Sequence, residues 1–377
     1  MTDYEYQYVY EHQDGSKFYH YNYVMEPDAM DKVESYSQDT LTIVINLFHL
    51  TILLQKEVRT VSIYTLMIGI CISDLLNFTL SVYMEGVDRS WYPRIYSLSE
   101  RDCLQEKYIV FNFGYEIIRM LINSTRTISV FLALSMALIR TITLAFPLHR
   151  ALGKLNSVKS SFLQINLVTL FWISYYSWIF LLILLQGFPR NLCDLKGTSR
   201  TVTVYVSAIP TSLNNLINKR EDWEHLVRIV PTVLYPILSI KLLMKLNEIS
   251  EQRRRVSDPN NERKEQSDSL TKLILFMTIS FMLSEGMDGI RSFFLVDLFY
   301  WGPEFPGIRR LILSTPYLIT SLRCLNSISH PFVCYFMSSQ YKNAVLKMTG
   351  KPNVVIVKSF KWPSSRNSVG KVTTLNY

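Results

Sequence analysis

The sequence predicts an all-α membrane protein, a seven-transmembrane helix bundle, and three observations carry that expectation. Hydrophobic residues make up 49% of the 377-residue chain against only 19% charged. The apolar residues are gathered into seven blocks of about membrane-spanning length rather than spread along the chain. The polar segments between the blocks differ in charge, as they do when successive loops face opposite sides of a bilayer.

Block one, Leu41–Leu54, is short, so its helix has to recruit the polar residues 37–40. Block two, Val61–Tyr83, is clean except for Asp74. Block three, from about Tyr115 to Leu144, carries Glu116, Arg119 and Arg126. Block four, Phe162–Leu185, is uncharged. Block five, about Leu226–Leu243, contains Pro231 and Pro236. Block six, about Leu270–Leu295, holds Glu285, Asp288 and Arg291 in its second half. Block seven, Leu311–Tyr335, contains the single charge Arg323. Blocks two, four and seven have a comfortable hydropathy. Blocks one, three, five and six are expected to be bundle-interior helices, where neighbours shield polar side chains from lipid.

Three parts are expected: an acidic, Tyr-rich tail over 1–36, the bundle with a short amphipathic eighth helix over 37–348, and a basic tail over 349–377. Residues 1–40 hold nine Asp/Glu against Lys17 and Lys32, with little apolar surface to bury. Segment 145–160 has Arg150, Lys154 and Lys159 and no acid, and 336–377 has seven Lys/Arg and no acid. Segments 1–40, 84–107 and 186–225 are acidic or balanced. The positive-inside rule then places the C-terminal tail in the cytoplasm and, after seven crossings, the N-terminus outside. The expected location is the plasma membrane, multi-pass. No signal peptide is legible in the first 30 residues.

Other classes fit poorly. The net charge of +8 is dispersed, with no basic face interleaved with stacking aromatics, so nucleic acid is not an expected partner. The six His are scattered, and neither His-Glu-x-x-His nor Cys-x-x-Cys occurs, so no metalloenzyme, no cofactor and no enzymatic activity are expected. A Gly-rich phosphate loop is missing, and there is no internal repeat of a transporter kind. Block seven has no Lys for a retinal Schiff base.

Several residues inside the blocks carry more specific information. Arg140 ends block three within Ile139-Arg140-Thr141, and Pro147-Leu148 follows. Block seven closes on Asn326-Ser-Ile-Ser-His330-Pro331-Phe-Val-Cys334-Tyr335, with Tyr341-Lys342 beyond. Asp74 lies centrally in block two, and an ionisable group there has to face the bundle interior. Asn46 of block one is placed to be its neighbour. These elements resemble the Asp-Arg-Tyr…Pro-Leu and Asn-Pro-x-x-Tyr elements of rhodopsin-like G-protein-coupled receptors. The acid before Arg140 and the Tyr after it are missing, and His330 and Cys334 replace the Asn and Tyr of the second element. The usual proline of helix six is missing within Glu285-Gly-Met-Asp288-Gly-Ile, although Gly286 and Gly289 offer a place to bend.

Finer wording narrows the resemblance. His49-Leu50…Lys56-Glu-Val-Arg59, Met67-Ile-Gly-Ile-Cys-Ile-Ser-Asp74, Met136-Ala-Leu-Ile-Arg140 and Ser329-His330…Phe336-Met-Ser-Ser-Gln-Tyr341 look like nematode class W serpentine receptors, a family similar to FMRFamide-type peptide receptors. The likeness runs from about residue 40 to 348. It implies an extracellular ligand, a heterotrimeric G protein as partner, and G-protein coupling through Arg140, Pro147 and Leu148. It further implies a polar network of Asn46, Asp74, Asn326, His330 and Pro331, with sodium at Asp74. It also implies a disulfide between Cys103 and Cys193, in the two outer segments. The ligand is expected to be a short peptide bearing charge and an apolar group. Its candidate pocket is Glu116, Arg119, Arg126, Glu285, Asp288 and Arg323. The same charges have a plainer use, in which Arg126 or Arg323 pairs with Asp74, Glu285 or Asp288 to hold the bundle. The alternative class is a seven-helix ligand-gated channel of insect odorant type, which has inverted topology. Arg254-Arg255-Val-Ser257 reads as a basophilic kinase site, and the sequons at Asn77 and Asn123 fall inside helices and are not expected to be glycosylated.

Overall fold

The structure, a computed structural model, describes residues 7–11, 17–21, 29–99, 106–146, 154–184, 188–193, 199–204, 211–255, 262–301 and 306–350. Among these, eight helices follow in chain order: α1 (Ala29–Leu53), α2 (Ser62–Ser99), α3 (Glu106–Ala145), α4 (Val158–Leu184), α5 (Thr211–Arg255), α6 (Glu262–Trp301), α7 (Pro306–Met337) and α8 (Ser339–Met348). Two antiparallel hairpins lie outside the helices. β1 (Gln7–Glu11) pairs with β2 (Lys17–Tyr21), with Gln7 opposite Tyr21. β3 (Phe188–Cys193) pairs with β4 (Ser199–Val204), with Phe188 opposite Val204. The expectation of an all-α chain therefore holds for the bundle and not for its appendages, whose strands are rich in the Tyr, Phe, Val and Thr that favour extended backbone.

The helices outrun the apolar blocks that predict them. α1 begins at Ala29, well before the apolar run, because residues 29–40 contain no Gly or Pro and carry helix formers such as Ala29, Met30, Lys32 and Glu34. α2 has 38 residues and α5 has 45, about 57 and 68 Å of helix against a hydrocarbon core of about 30 Å. Residues 84–99 and 211–225, expected as parts of loops, are thus helix continuous with α2 and α5. Hydropathy ends where lipid ends, whereas backbone hydrogen bonding continues until a cap or a breaker stops it.

Among the described residues four stretches are long and apolar enough to cross a membrane: Ser62–Gly86, Ile117–Ala145, Leu226–Lys245 and Lys272–Ser292, with mean hydropathies of 1.6, 2.0, 1.7 and 1.4. Blocks three, five and six are therefore more apolar than the sequence reading allows. Their few charges are spaced widely enough for the apolar residues between them to outweigh them.

α3 is the central helix. It packs on α2, α4, α5 and α6, while α1 packs on α2, α7 and α8. α5 is not the interior helix its two prolines and short block suggest. Only 28% of its apolar window is buried, against 50% in α2 and α6. Val230, Val233, Ile237, Ile240 and Met244 form its exposed apolar face. Its prolines lack the N–H that would bond Val227 and Thr232, so the carbonyls of those residues lose their helical partners. α4 likewise exposes Phe162, Leu163, Leu167, Leu170 and Phe171 while burying Trp172 and Tyr176. Such faces are unfavourable in water and neutral against lipid tails.

α6 is proline-free, and its two glycines differ in use. A Cβ on Gly289 would lie 1.8 Å from Thr232 Oγ1 and 2.9 Å from the Arg228 carbonyl, so Gly289 is where α5 and α6 touch backbone to backbone. A Cβ on Gly286 would meet nothing within 4 Å. Gly289 thus serves close packing against α5.

Candidate functional site

The charges of α3, α5, α6 and α7 converge in one cluster. Glu285 and Asp288 are three residues apart, so both point from the same face of α6. Arg126 of α3 donates from Nη2 to Asp288 Oδ2 at 2.6 Å and to Glu285 Oε2 at 3.2 Å. Arg323 of α7 donates from Nε to Glu285 Oε1 at 3.0 Å, and its Nη2 lies 3.3 Å from Asp288 Oδ1 without the alignment of a hydrogen bond. Arg228 of α5 brings Nη1 to 3.6 Å from Asp288 Oδ2. The Asp288 side chain is only 3% exposed, so these pairs act in a poorly screened interior.

Mutual pairing is thus realised among Arg126, Arg323, Glu285 and Asp288, and Asp74 takes no part in it. Arg228 was missed by the sequence reading. It lies near the start of block five, where an Arg reads as an ordinary helix-end charge, and only the crossing of α5 over α6 brings it to Asp288. Arg119 lies on α3 and is exposed. The side chain of Glu116 lies outside the described residues.

One turn closer to the α8 end is a polar layer around Asp74. Its carboxylate accepts from Ser129 Oγ of α3 at 2.6 Å and from Ser327 Oγ of α7 at 2.8 Å. Asn46 Nδ2 of α1 donates to the same Ser327 hydroxyl at 2.8 Å and to the Thr42 carbonyl at 2.9 Å. Asn46 and Asp74 are linked through Ser327, which bonds both. Asn326 Oδ1 and His330 Nε2 are buried without a hydrogen-bond partner, and the His330 ring lies 5.4 Å from Phe281. Pro331 is buried in the same turn of α7. The two serines carry no sequence signal, since Ser inside an apolar helix usually bonds its own backbone.

The next layer is aromatic. Tyr235, between the two prolines of α5, donates its hydroxyl to the Val130 carbonyl of α3 at 2.8 Å and stacks on Phe281 at 6.0 Å. Trp172, Tyr175 and Tyr176 of α4 form an edge-to-face cluster with Phe131, and the Tyr176 hydroxyl lies 3.1 Å from Thr127 Oγ1. Asn77 Nδ2 donates to the Ile122 carbonyl at 2.8 Å, so this sequon asparagine is spent on α2–α3 packing.

At the far end α8 folds back on the bundle. Ser338 caps it, accepting from Tyr341 N at 3.2 Å, and also bonds the Tyr64 hydroxyl. His49 Nδ1 meets the Tyr341 hydroxyl at 2.7 Å. Burial pushes the Tyr341 phenol up, so it remains a hydroxyl. Lys347 pairs with Glu57 in the α1–α2 turn at 2.7 Å, though both are exposed and the pair is worth little. Arg140 lies buried at this end of α3, beside a cleft shared with Ser62, Met136, Leu155, Asn156, Ser161 and Ile274.

Pro147, Leu148, Cys103 and Ser257 lie outside the described residues. So does the side chain of Cys193, whose backbone ends β3. Cys71, Cys324 and Cys334 are buried free thiols.

The helical bundle thus carries a buried charge cluster at the middle of α3, a polar layer around Asp74 and, near the end of α3, Arg140. The family model of the serpentine type 7TM GPCR chemoreceptor Srw matches residues 35–352. The chain belongs to that family, and it is a multi-pass membrane protein of the chemoreceptor kind. A search of the curated proteins finds no match.

Proposed function

We propose that this protein is a plasma-membrane receptor, with its N-terminus outside, that converts binding of an extracellular ligand into activation of a heterotrimeric G protein. The ligand is a short peptide or a small chemosensory compound entering between α3, α5, α6 and α7. The observation that supports this reading is the charge cluster around Asp288, which meets α3 at its middle through Arg126, while Arg140 lies near the end of the same helix. Arg126 and Arg140 are 14 residues apart, about 21 Å along one helix. Contacts that favour one arrangement of α5, α6 and α7 at the cluster bias what the other end presents, as any ligand with differential affinity does. Arg140, Pro147 and Leu148 face the G protein, and a Cys103–Cys193 bridge ties the β3–β4 hairpin to the entrance of α3. Asp74 with its serines forms the polar hinge layer between the two ends.

The test is a cell line expressing the full chain, screened with short peptides and small odorants for calcium or cAMP responses. Arg140→Ala should then abolish agonist-driven nucleotide exchange and leave binding within about twofold, which is under 0.5 kcal/mol. Equal loss of both would make Arg140 a folding residue and remove its assignment to coupling.

A further inference from the structure

Ser157 is an exposed hydroxyl set between two exposed cations. Lys154 stands three residues before it and Lys159 two after, and the segment 145–160 holds no acid. Two backbone bonds fix the turn, from Ser157 N to the Lys154 carbonyl at 3.2 Å and from Ser161 N to the Ser157 carbonyl at 3.0 Å. Ser157 is thereby the residue before α4, and its Oγ accepts from Ser160 N at 3.2 Å. Among the described residues that hydroxyl donates to no acceptor. The other exposed hydroxyls with basic neighbours near this end are differently placed. Thr60 follows Arg59 but has Glu57 three residues before it, and its Oγ1 donates to the Glu57 carbonyl at 3.1 Å. Thr349 lies between Lys347 and Lys351, yet its Oγ1 donates to the Val345 and Leu346 carbonyls at the end of α8, both at 3.1 Å.

The two ends of a helix treat a phosphate oppositely. On Thr349 it would face the negative end of α8 and repel the carbonyls there. On Ser157 it would face the positive end of α4, whose first N–H groups have no partner within the helix. The place matters because residues on both sides of Ser157 line the cleft beside Arg140. Leu155 and Asn156 come just before it and Ser161 one turn after, and Arg140 is the one charged side chain among the lining residues. Asn156 also ties this turn to the start of α2, since Ser62 Oγ donates to its Oδ1 at 2.7 Å.

We propose that Ser157 is a phosphorylation site for a basophilic serine/threonine kinase, and that its phosphate locks the first turn of α4 at the rim of the Arg140 cleft. In the step, Ser157 Oγ attacks the γ-phosphorus of ATP. A new O–P bond forms as the bond to the bridging β-phosphate oxygen breaks, ADP leaves, and the hydroxyl proton passes through the kinase to solvent. The product carries close to two negative charges at neutral pH. Lys154 and Lys159 then serve twice, first as the cations an acidic kinase groove reads and afterwards as counter-charges to the phosphate. The proposal rests on the receptor reading for one thing, the side of the membrane, because Ser157 has to lie where ATP is.

The experiment incubates purified full-length receptor in detergent with ATP and a kinase of the protein kinase C type, which reads basic residues on both sides of its serine. Phosphopeptide mapping should find Ser157 modified, and Lys154→Gln combined with Lys159→Gln should slow that labelling about tenfold. Hydrogen exchange of the amides of 158–160 should slow in the phosphorylated protein, because those N–H groups gain a charged acceptor. Ser157→Ala should lose both effects, and Thr349→Ala neither. The site is overturned if Ser157 stays unlabelled, if the lysine variant is labelled as fast as the parent, or if amide exchange does not slow. In cells the same mapping follows stimulation of the kinase, alongside an epitope placed after residue 377. An epitope stained only after permeabilisation, with Ser157 unmodified, would sink the phosphorylation site and leave the receptor reading standing. An epitope stained on intact cells would sink the receptor orientation, and the site with it, whatever the labelling in detergent.

Discussion

Asp288 is the residue on which most of the buried charge depends. It receives Arg126 at 2.6 Å, Arg323 at 3.3 Å and Arg228 at 3.6 Å. Asp288→Asn keeps the volume and leaves three arginines facing Glu285. Removing one partner of a buried ion pair typically costs about 3–5 kcal/mol, so melting temperature and surface expression should both fall sharply. Adding Arg126→Gln to it should cost less than the sum of the two single changes, because the groups are coupled. Strict additivity in thermal unfolding would show that the cluster is not the restraint described. Ser327 is the second residue of this kind, since one hydroxyl serves both Asn46 and Asp74. Ser327→Ala should destabilise by about 1–3 kcal/mol, the range for orphaned buried polar groups. Ser329→Ala, two residues away, removes only a bond to the carbonyl of Asn326 and should stay within about 0.5 kcal/mol. Similar melting temperatures for the two variants would sink this ranking.

At the scale of elements, the closest seam is α5 against α6. Gly289 lets Thr232 and the Arg228 carbonyl approach to distances that no side chain permits. Thr232 is itself held there by its bond to the Arg228 carbonyl at 3.0 Å. Gly289→Val should force the two helices apart and move Arg228 away from Asp288, at a cost of about 1–3 kcal/mol from overpacking. Gly286→Ala should be tolerated and is slightly stabilising if anything, because its site is open and alanine is the better helix former. Expression and melting temperature of the two variants side by side check this, and a Gly286→Ala as damaging as Gly289→Val would show that the bend and not the contact matters. α8 is a different case. Its Ser338 cap, the Tyr341 bond to His49 and the buried Ala344 dock it against α1 and α2, so its position follows from the bundle and not from its own short length.

For the whole molecule the decisive quantity is orientation. The sequence expects the basic segments 145–160 and 336–377 on the cytoplasmic side and the acidic or balanced segments 1–40, 84–107 and 186–225 on the other. An epitope placed before residue 1 should therefore be stained by antibody on intact cells, and one placed after residue 377 only after permeabilisation. The reverse pattern would favour the channel reading and remove the receptor proposal at its root.

What the sequence by itself determined is what depends on composition along one strand of chain: the apolar blocks that become α1 to α7, the presence of Asp74, Arg126, Glu285, Asp288 and Arg323 inside them, and the resemblance that the family match bears out. Side chains three or four residues apart share a helix face whatever surrounds them, so Glu285 and Asp288 were legible as a pair. The lengths of the helices were not, because hydropathy marks lipid contact while helices such as α2 and α5 extend well past it. The tertiary structure alone decided which charges meet. Arg228 joins Asp288 because Gly289 allows α5 to press on α6, and Asp74 turns to Ser129 and Ser327 because α2, α3 and α7 cross at its level. These are distances between segments more than 50 residues apart in the chain, set by how helices pack, and no local pattern of residues encodes them.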